Sequence, residues 1–212
     1  IVAVTFFAAT AYADVRIGLS GAYSMFTSDG TETVKSSGTT NSKSHDEDVV
    51  VPSIFVEADL ANGMALGIDF IPAEAELGSA TNARTDTDTD DATDTAGDNK
   101  VSAELSSHVT FYVTYPIRGN SYLKGGVAIA SIDTTETLAT GSSYKNEDVT
   151  GVMIGAGYNR DTSNGTFFRS ELTYTDYDSV NFKGSLDADS VRNEIDADID
   201  VLALRFSVGK AF

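Results

Sequence analysis

The chain has no cysteine and no tryptophan, only three prolines and two histidines, and 14 lysines and arginines against 32 aspartates and glutamates among its 212 residues. Without cysteine there are no disulfides, thiolate metal sites or cysteine nucleophiles. The shortage of basic residues leaves a net charge of −18 at pH 7 and a pI of about 4.2. That excludes a nucleic-acid binder, because neutralising phosphates requires a basic surface. No uninterrupted apolar run reaches the length of a membrane helix. What is present favours strands: 41% hydrophobic residues and 18 glycines, set among many Thr, Ser, Val, Tyr and Phe. The length suits a single domain.

Residues Ile1 to Ala13 form an uncharged apolar stretch ending in Ala11-Tyr12-Ala13, and Asp14 is the first charge. This reads as the C-terminal part of a secretory signal peptide (1–13), with the mature domain at 14–212. An N-terminal hydrophobic strand is the alternative.

Alternation with period two dominates the rest. Between Val101 and Tyr115 the odd positions are mainly apolar (Val101, Leu105, Val109, Phe111, Val113) and the even ones polar (Glu104, Ser106, His108, Thr110). That pattern makes a two-faced strand, longer than strands of soluble sheets. The same reading gives strands at Val15–Phe26, Val50–Leu60, Met64–Ala73, Tyr122–Ile132, Val149–Arg160, Thr166–Tyr177 and Val201–Phe212. Eight is an even number, as single-chain bacterial barrels require.

Short connections at Ala61–Gly63, Pro116–Ser121 and Asp161–Gly165 include Asn62-Gly63 and Asn164-Gly165, pairs suited to tight turns. They alternate with long segments at Thr27–Asp48, Glu74–Lys100, Asp133–Asp148 and Asp178–Asp200, read as loops. Short turns on one side and long loops on the other is the arrangement of an outer-membrane barrel.

The last strand locates the membrane. Glu194, Asp196, Asp198 and Asp200 share parity with Leu202, Leu204, Phe206 and Val208, and carboxylates do not face hydrocarbon, so the lipid boundary falls near Asp200. The remainder to Phe212 is close to the roughly 9 to 11 residues of a tilted crossing strand. Tyr23, Tyr115, Tyr158, Phe168, Tyr174 and Phe212 fall near strand ends on the outward face, as an aromatic girdle does.

Three segments resemble the small porin-like outer-membrane β-barrels of the OmpX, opacity-protein and OmpA type. They are Gly155-Ala156-Gly157-Tyr158 through Phe168-Arg169-Ser170-Glu171-Leu172-Thr173-Tyr174, then Tyr122-Leu123-Lys124-Gly125-Gly126-Val127, and the C-terminal Ala203–Phe212. The resemblance implies an all-β, eight-stranded, antiparallel up-and-down transmembrane barrel in a Gram-negative outer membrane, monomeric, among outer-membrane lipids and lipopolysaccharide. It further implies that Leu204, Phe206, Val208 and Phe212 form the signal read by the barrel-assembly machinery, although Lys210 stands where an apolar residue is usual. Its functional implication is an anchor displaying surface loops for adhesion, envelope stability or resistance, in contact with a surface ligand, host receptor or phage. A narrow channel for small solutes or ions is the alternative, and a soluble periplasmic binding barrel is a third reading.

Nine charged residues carry inward parity: Arg16, Glu57, Asp59, Asp69, Glu104, Lys124, Arg169, Glu171 and Arg205. The interior of an eight-stranded barrel is filled by side chains, so these charges must pair. Arg16 with Glu57 and Glu171 with Arg205 are the expected pairs, since their strands are neighbours, and all nine except Glu104 gather towards the short-turn end.

Asp86-Thr87-Asp88-Thr89-Asp90 imitates the start of an EF-hand loop, but Asp91 and Gly97 stand where Gly and Glu are required. The segment reads as a solvated acidic loop with no dedicated metal site. Ser106 and His108 invite comparison with a lipid hydrolase pair, yet a closed lumen offers lipid no access; His45, beside Asp46, Glu47 and Asp48, reads as solvent-exposed. Gly155-Ala156-Gly157 lacks a dinucleotide site's third glycine and reads as small residues at a strand crossing. The expectation is a protein with no catalytic residues and no cofactor.

Overall fold

In a computed structural model of the chain, residues 14–34, 39–84, 97–137, 143–183, 185 and 194–212 are described. They form ten antiparallel strand segments: β1 (Val15–Val34), β2 (Thr39–Asp59), β3 (Ala65–Ile71), β4 (Ala75–Arg84), β5 (Gly97–Arg118), β6 (Ser121–Thr137), β7 (Glu147–Asp161), β8 (Thr166–Tyr177), β9 (Val180–Lys183) and β10 (Glu194–Ala211). β3 and β4 both pair with β5 and make one stave, interrupted around Pro72, which has no N–H for the ladder. β8 and β9 likewise share β10. β1 pairs with both β2 and β10, so the sheet closes into a ring of eight staves.

All eight expected strands are present; β7 and β8 keep close to their expected limits, but the outer ends of β1, β2, β5, β6 and β10 lie well beyond them. The β1–β2 ladder continues to Val34 opposite Thr39, the β4–β5 ladder to Arg84 opposite Gly97, and the β1–β10 ladder to Thr33 opposite Glu194. Much of Thr27–Asp48 and of Glu74–Lys100 is therefore hairpin, and Asp178–Asp200 contributes β9 paired with β10, whereas residues 133–137 of Asp133–Asp148 extend β6 along β5 instead. Thr and Ser fit a solvated strand surface as well as a loop, and each extension has a partner to complete its hydrogen bonds. Ile1–Ala13 and the Asp86–Asp91 run lie outside the described residues. At the other end the turns are tight: Gly63 and Gly165 both have positive φ, and the Asn62 side chain accepts a hydrogen bond from the Met64 N–H at 3.1 Å.

Side-chain polarity divides the barrel into two halves. In the half nearest the short turns, apolar residues face outward: Leu19, Ile54, Ile154, Leu204, Phe206 and Val208 are exposed. Tyr115, Tyr158, Phe168 and Phe212 border this belt below, and Tyr23 and Tyr174 above. At the upper border the Tyr23 hydroxyl donates to Asp48 at 2.7 Å and the Tyr174 hydroxyl to Asp200 at 2.6 Å. Such a belt faces hydrocarbon, with the tyrosines at the interface.

Beyond these tyrosines the polarity reverses. Aspartates and hydroxyl residues point outward, and Phe26, Leu105, Ile132, Val180, Phe182 and Ile199 form a buried apolar core inside the barrel. β10 keeps its register throughout; its sequence changes, with Leu202, Leu204 and Phe206 outward below and Ile199 and Val201 inward above. β5 reverses by geometry. One extra residue between Ser106 and Val109 shifts the ladder against β6, Ser107 takes a φ of 52°, and the strand turns over. Odd positions of β5 thus face out below the bulge and in above it.

Candidate functional site

The lumen of the membrane-embedded half is organised by four glycine–aromatic pairs. Gly18 lies directly opposite Phe55, Gly67 opposite Tyr112, Gly157 opposite Tyr122 and Gly209 opposite Phe167. Each ring covers its glycine so closely that an added Cβ would sit 2.3 to 2.4 Å from a ring carbon. The missing side chain lets the ring lie flat against the neighbouring strand, leaving space for charged groups at the centre.

Those charges pair across the barrel. Arg169 on β8 makes a two-pronged bond to the Glu57 carboxylate on β2, both side chains almost wholly buried. Its guanidinium lies 4.9 Å from the Phe167 ring centroid, 5.3 Å from that of Phe55 and 5.6 Å from that of Tyr122. Tyr112 donates to Glu57 at 2.8 Å. Glu171 accepts from Lys124 at 3.0 Å and from Tyr122 at 2.8 Å, and the Lys124 ammonium lies 3.9 Å over the Tyr112 ring. Arg205 bonds Asp69, and also Ser53 at 3.2 Å. At the short-turn rim, Arg16 reaches Asp59 at 2.8 Å and Asp161 at 2.9 Å.

The arrangement corrects two expected pairs and one placement. Arg16 is the register partner of Glu57, and Arg205 of Glu171, but in neither case is the ion pair made with that neighbour. Arg16 instead takes Asp59, further along the same neighbouring strand at the rim, while Arg205, like Arg169, reaches across the narrow barrel; for Arg169 the far wall offers bidentate geometry and aromatic faces. Glu104 is not in the lumen. It lies above the β5 bulge, in the outward row between Glu76 on β4 and Asp133 on β6. The other eight charges are gathered in the membrane-embedded half.

Several members of this network carry no charge: Ser20, which contacts Ser53 and Arg205, and Ser53, Phe55, Tyr112, Tyr122 and Phe167; Asp161 is charged but falls in a short turn. The available signal was register, since each of the four aromatics faces a glycine. Ser106 and His108 are separated by the bulge. Ser106 bonds Asp133, whereas His108 Nε2 lies 2.8 Å from the Tyr177 hydroxyl inside the barrel. Leu204, Phe206, Val208 and Phe212 are exposed on the outer wall. Lys210 reaches the carbonyl of Asn164 in the adjoining turn. Below the network, a vestibule of about 250 Å³ lined by Arg16, Asp59, Asn120, Asn159, Asp161 and Arg169 opens at the short-turn end.

No protein-family model matches the chain, and no curated protein matches it in sequence. Solved structures do. The outer membrane protein AlkL in lipid bilayers superposes with a TM-score of 0.53 at 11% identity, over 98% of this chain and 95% of that one. The fold is that of the small outer-membrane β-barrels. OprG from Pseudomonas aeruginosa gives a TM-score of 0.51 at 13% identity, over 92% and 96% of the two chains. The outer membrane protease OmpT from Escherichia coli gives 0.53 at 9% identity, over 96% and 99%. A barrel of this kind meets the lipid with its apolar belt and carries its outer hairpins on the far side from the short turns.

Proposed function

We propose that this outer-membrane barrel is a closed, monomeric anchor that works at its outer end, presenting long acidic hairpins as an interaction surface for adhesion, envelope stability or resistance. The observation that carries the reading is the pair of crossing bonds Arg169–Glu57 and Arg205–Asp69, which span the lumen at two levels among buried aromatic rings. A water-filled path would require both to break, and separating a buried pair leaves charges uncompensated at several kcal/mol. The outer extensions, by contrast, present Asp29, Asp46, Asp198 and their Ser and Thr neighbours to solvent.

Insertion belongs to the same proposal: the C-terminal Leu204, Phe206, Val208 and Phe212 act as the assembly-machinery signal, after removal of residues 1–13. The barrel acts without an enzymatic step and without a cofactor. Cells carrying the wild-type protein, no protein, or a version with β1–β2 and β4–β5 shortened to turns just above the tyrosine border test the reading. The shortened version is expected to insert normally, judged by heat-modifiable gel mobility, yet match the deletion strain in adherence to matrix-protein films and in detergent resistance. Wild-type behaviour from the shortened version overturns it.

A narrow channel is the second reading, favoured by the polar vestibule that ends at Arg169. In that case the crossing ion pairs are its gate.

A further inference from the structure

Above the tyrosine border, the inside of the barrel holds a cavity of about 270 Å³. Val101, Ala103, Ile132, Phe182, Ala197 and Ile199 line most of it, and Ser28, Lys43 and His45 stand at its edge. This part of the barrel lies in water, so its apolar side chains face inward. The packed core beneath it, including Phe26, Leu105 and Tyr177, gives it a floor. We propose that this pouch binds a small, uncharged, mainly apolar molecule bearing one hydrogen-bonding group such as a hydroxyl.

The size follows from comparison with apolar cavities of known capacity. One of 150 Å³ takes benzene, so this pouch accommodates roughly ten non-hydrogen atoms. The polar contact is His45. Its Nε2 is shielded from solvent and has no hydrogen bond among the described residues; the nearest carboxylate oxygen, Glu47 Oε2, lies 3.4 Å away. An apolar pouch with one convergent polar group is the usual form of a small-molecule site.

Charge sets the head group. Glu47 stands beside His45. Higher in the same lumen, Tyr144 is held above the ordinary tyrosine pKa by burial and then by the carboxylates of Glu32 and Glu136. Lys43 is the one lysine or arginine among the lining residues and is outnumbered by these carboxylates; with the net charge of −18, the surroundings disfavour a carboxylate ligand and leave a neutral donor or acceptor as the matching partner.

The test uses the protein in lipid nanodiscs with labelled isoleucine methyl groups, titrated with 1-octanol and with octanoate. Ile132 and Ile199 report on the pouch, and Ile129 and Ile154 on the lipid face. The expected result is saturable octanol shifts at Ile132 and Ile199, with octanoate at least tenfold weaker. Ala103→Phe, or Ala197→Phe from the opposite wall should the first not fold, fills the cavity and removes those shifts while leaving any at Ile129 and Ile154. Parallel shifts at all four isoleucines overturn the proposal, as does persistence of the Ile132 and Ile199 shifts in a folded, filled variant. Equal affinity for octanoate overturns the assignment of a neutral head group. The outcome is independent of what the outer hairpins bind.

Discussion

Arg169 and Glu57, 112 positions apart in sequence, form a bidentate ion pair across the lumen, and Glu57 passes over a neighbour that could have served. Arg16 lies directly opposite Glu57 in the β1–β2 ladder but bonds Asp59 and Asp161 at the rim. The buried pair satisfies both partners in a way a rim arginine could not: Glu57 also accepts from Tyr112, and the Arg169 guanidinium lies near three aromatic rings.

Removing one partner leaves the other charged and buried. Glu57→Gln should lower the free energy of unfolding from lipid vesicles by about 3 to 5 kcal/mol, read from the urea midpoint and slope. A loss below about 1 kcal/mol, the range of a surface ion pair, contradicts the buried network.

The glycine–aromatic pairs make a contrast inside one barrel. Gly67→Ala places a methyl group 2.3 Å from the Tyr112 ring, whereas nothing lies within 4 Å of a Cβ at Gly21. The first should destabilise by about 1 to 3 kcal/mol through forced movement of the ring. The second should be neutral or slightly stabilising, since alanine orders the unfolded chain more cheaply. Equal effects at the two positions would show that the rings do not rest on their glycines.

These features differ in how far the sequence disclosed them. Strand identity and the tight turns were legible, because a half-buried strand writes its period directly into composition and the Asn-Gly pairs mark the turns. The lipid boundary was legible in β10, where Asp200 meets Leu202. The reversal of polarity is written in the same stretch, where Ile195, Ala197, Ile199 and Val201 occupy the parity opposite to the carboxylates.

Glu104 was misplaced because the odd positions from Val101 to Tyr115 read as one continuous face. No residue in that run marks a bulge: Ser107 takes its positive φ without being glycine, asparagine or aspartate. Partner choice in the lumen was illegible for a different reason. Register fixes which backbones are adjacent, while a long side chain in a narrow barrel selects its partner from the opposite wall. The outer hairpins were read as loops because the composition of a solvated strand and that of a loop overlap, and pairing decides between them.

The outward row Glu76–Glu104–Asp133 sets carboxylates directly opposite each other on three adjacent strands. Like charges so placed repel by roughly 0.2 to 1 kcal/mol per pair, so Glu104→Gln should raise stability by a few tenths of a kcal/mol or more at low ionic strength. Salt screens exposed charges, and the gain should shrink in 1 M NaCl. Destabilisation at low salt would show that Glu104 has a favourable partner instead.

The absence of cysteine allows single-cysteine mapping of the polarity reversal. Asp198→Cys should react with a water-soluble maleimide in intact proteoliposomes, while Leu204→Cys should remain unreactive until detergent is added. A spin label at position 204 should show high oxygen and low nickel-complex accessibility. Rapid aqueous labelling at 204 would remove the lipid-facing belt from β10.

Closure of the lumen is the central claim, and single-channel recording tests it most directly. Refolded protein covering Asp14 to Phe212, shown by circular dichroism to be β-structured, would be inserted into planar bilayers and recorded over a wide voltage range. The crossing pairs Arg169–Glu57 and Arg205–Asp69 predict electrically silent membranes. Reproducible discrete conductance steps, altered in size by Arg205→Ala, would contradict a closed anchor and make those pairs the gate of a channel.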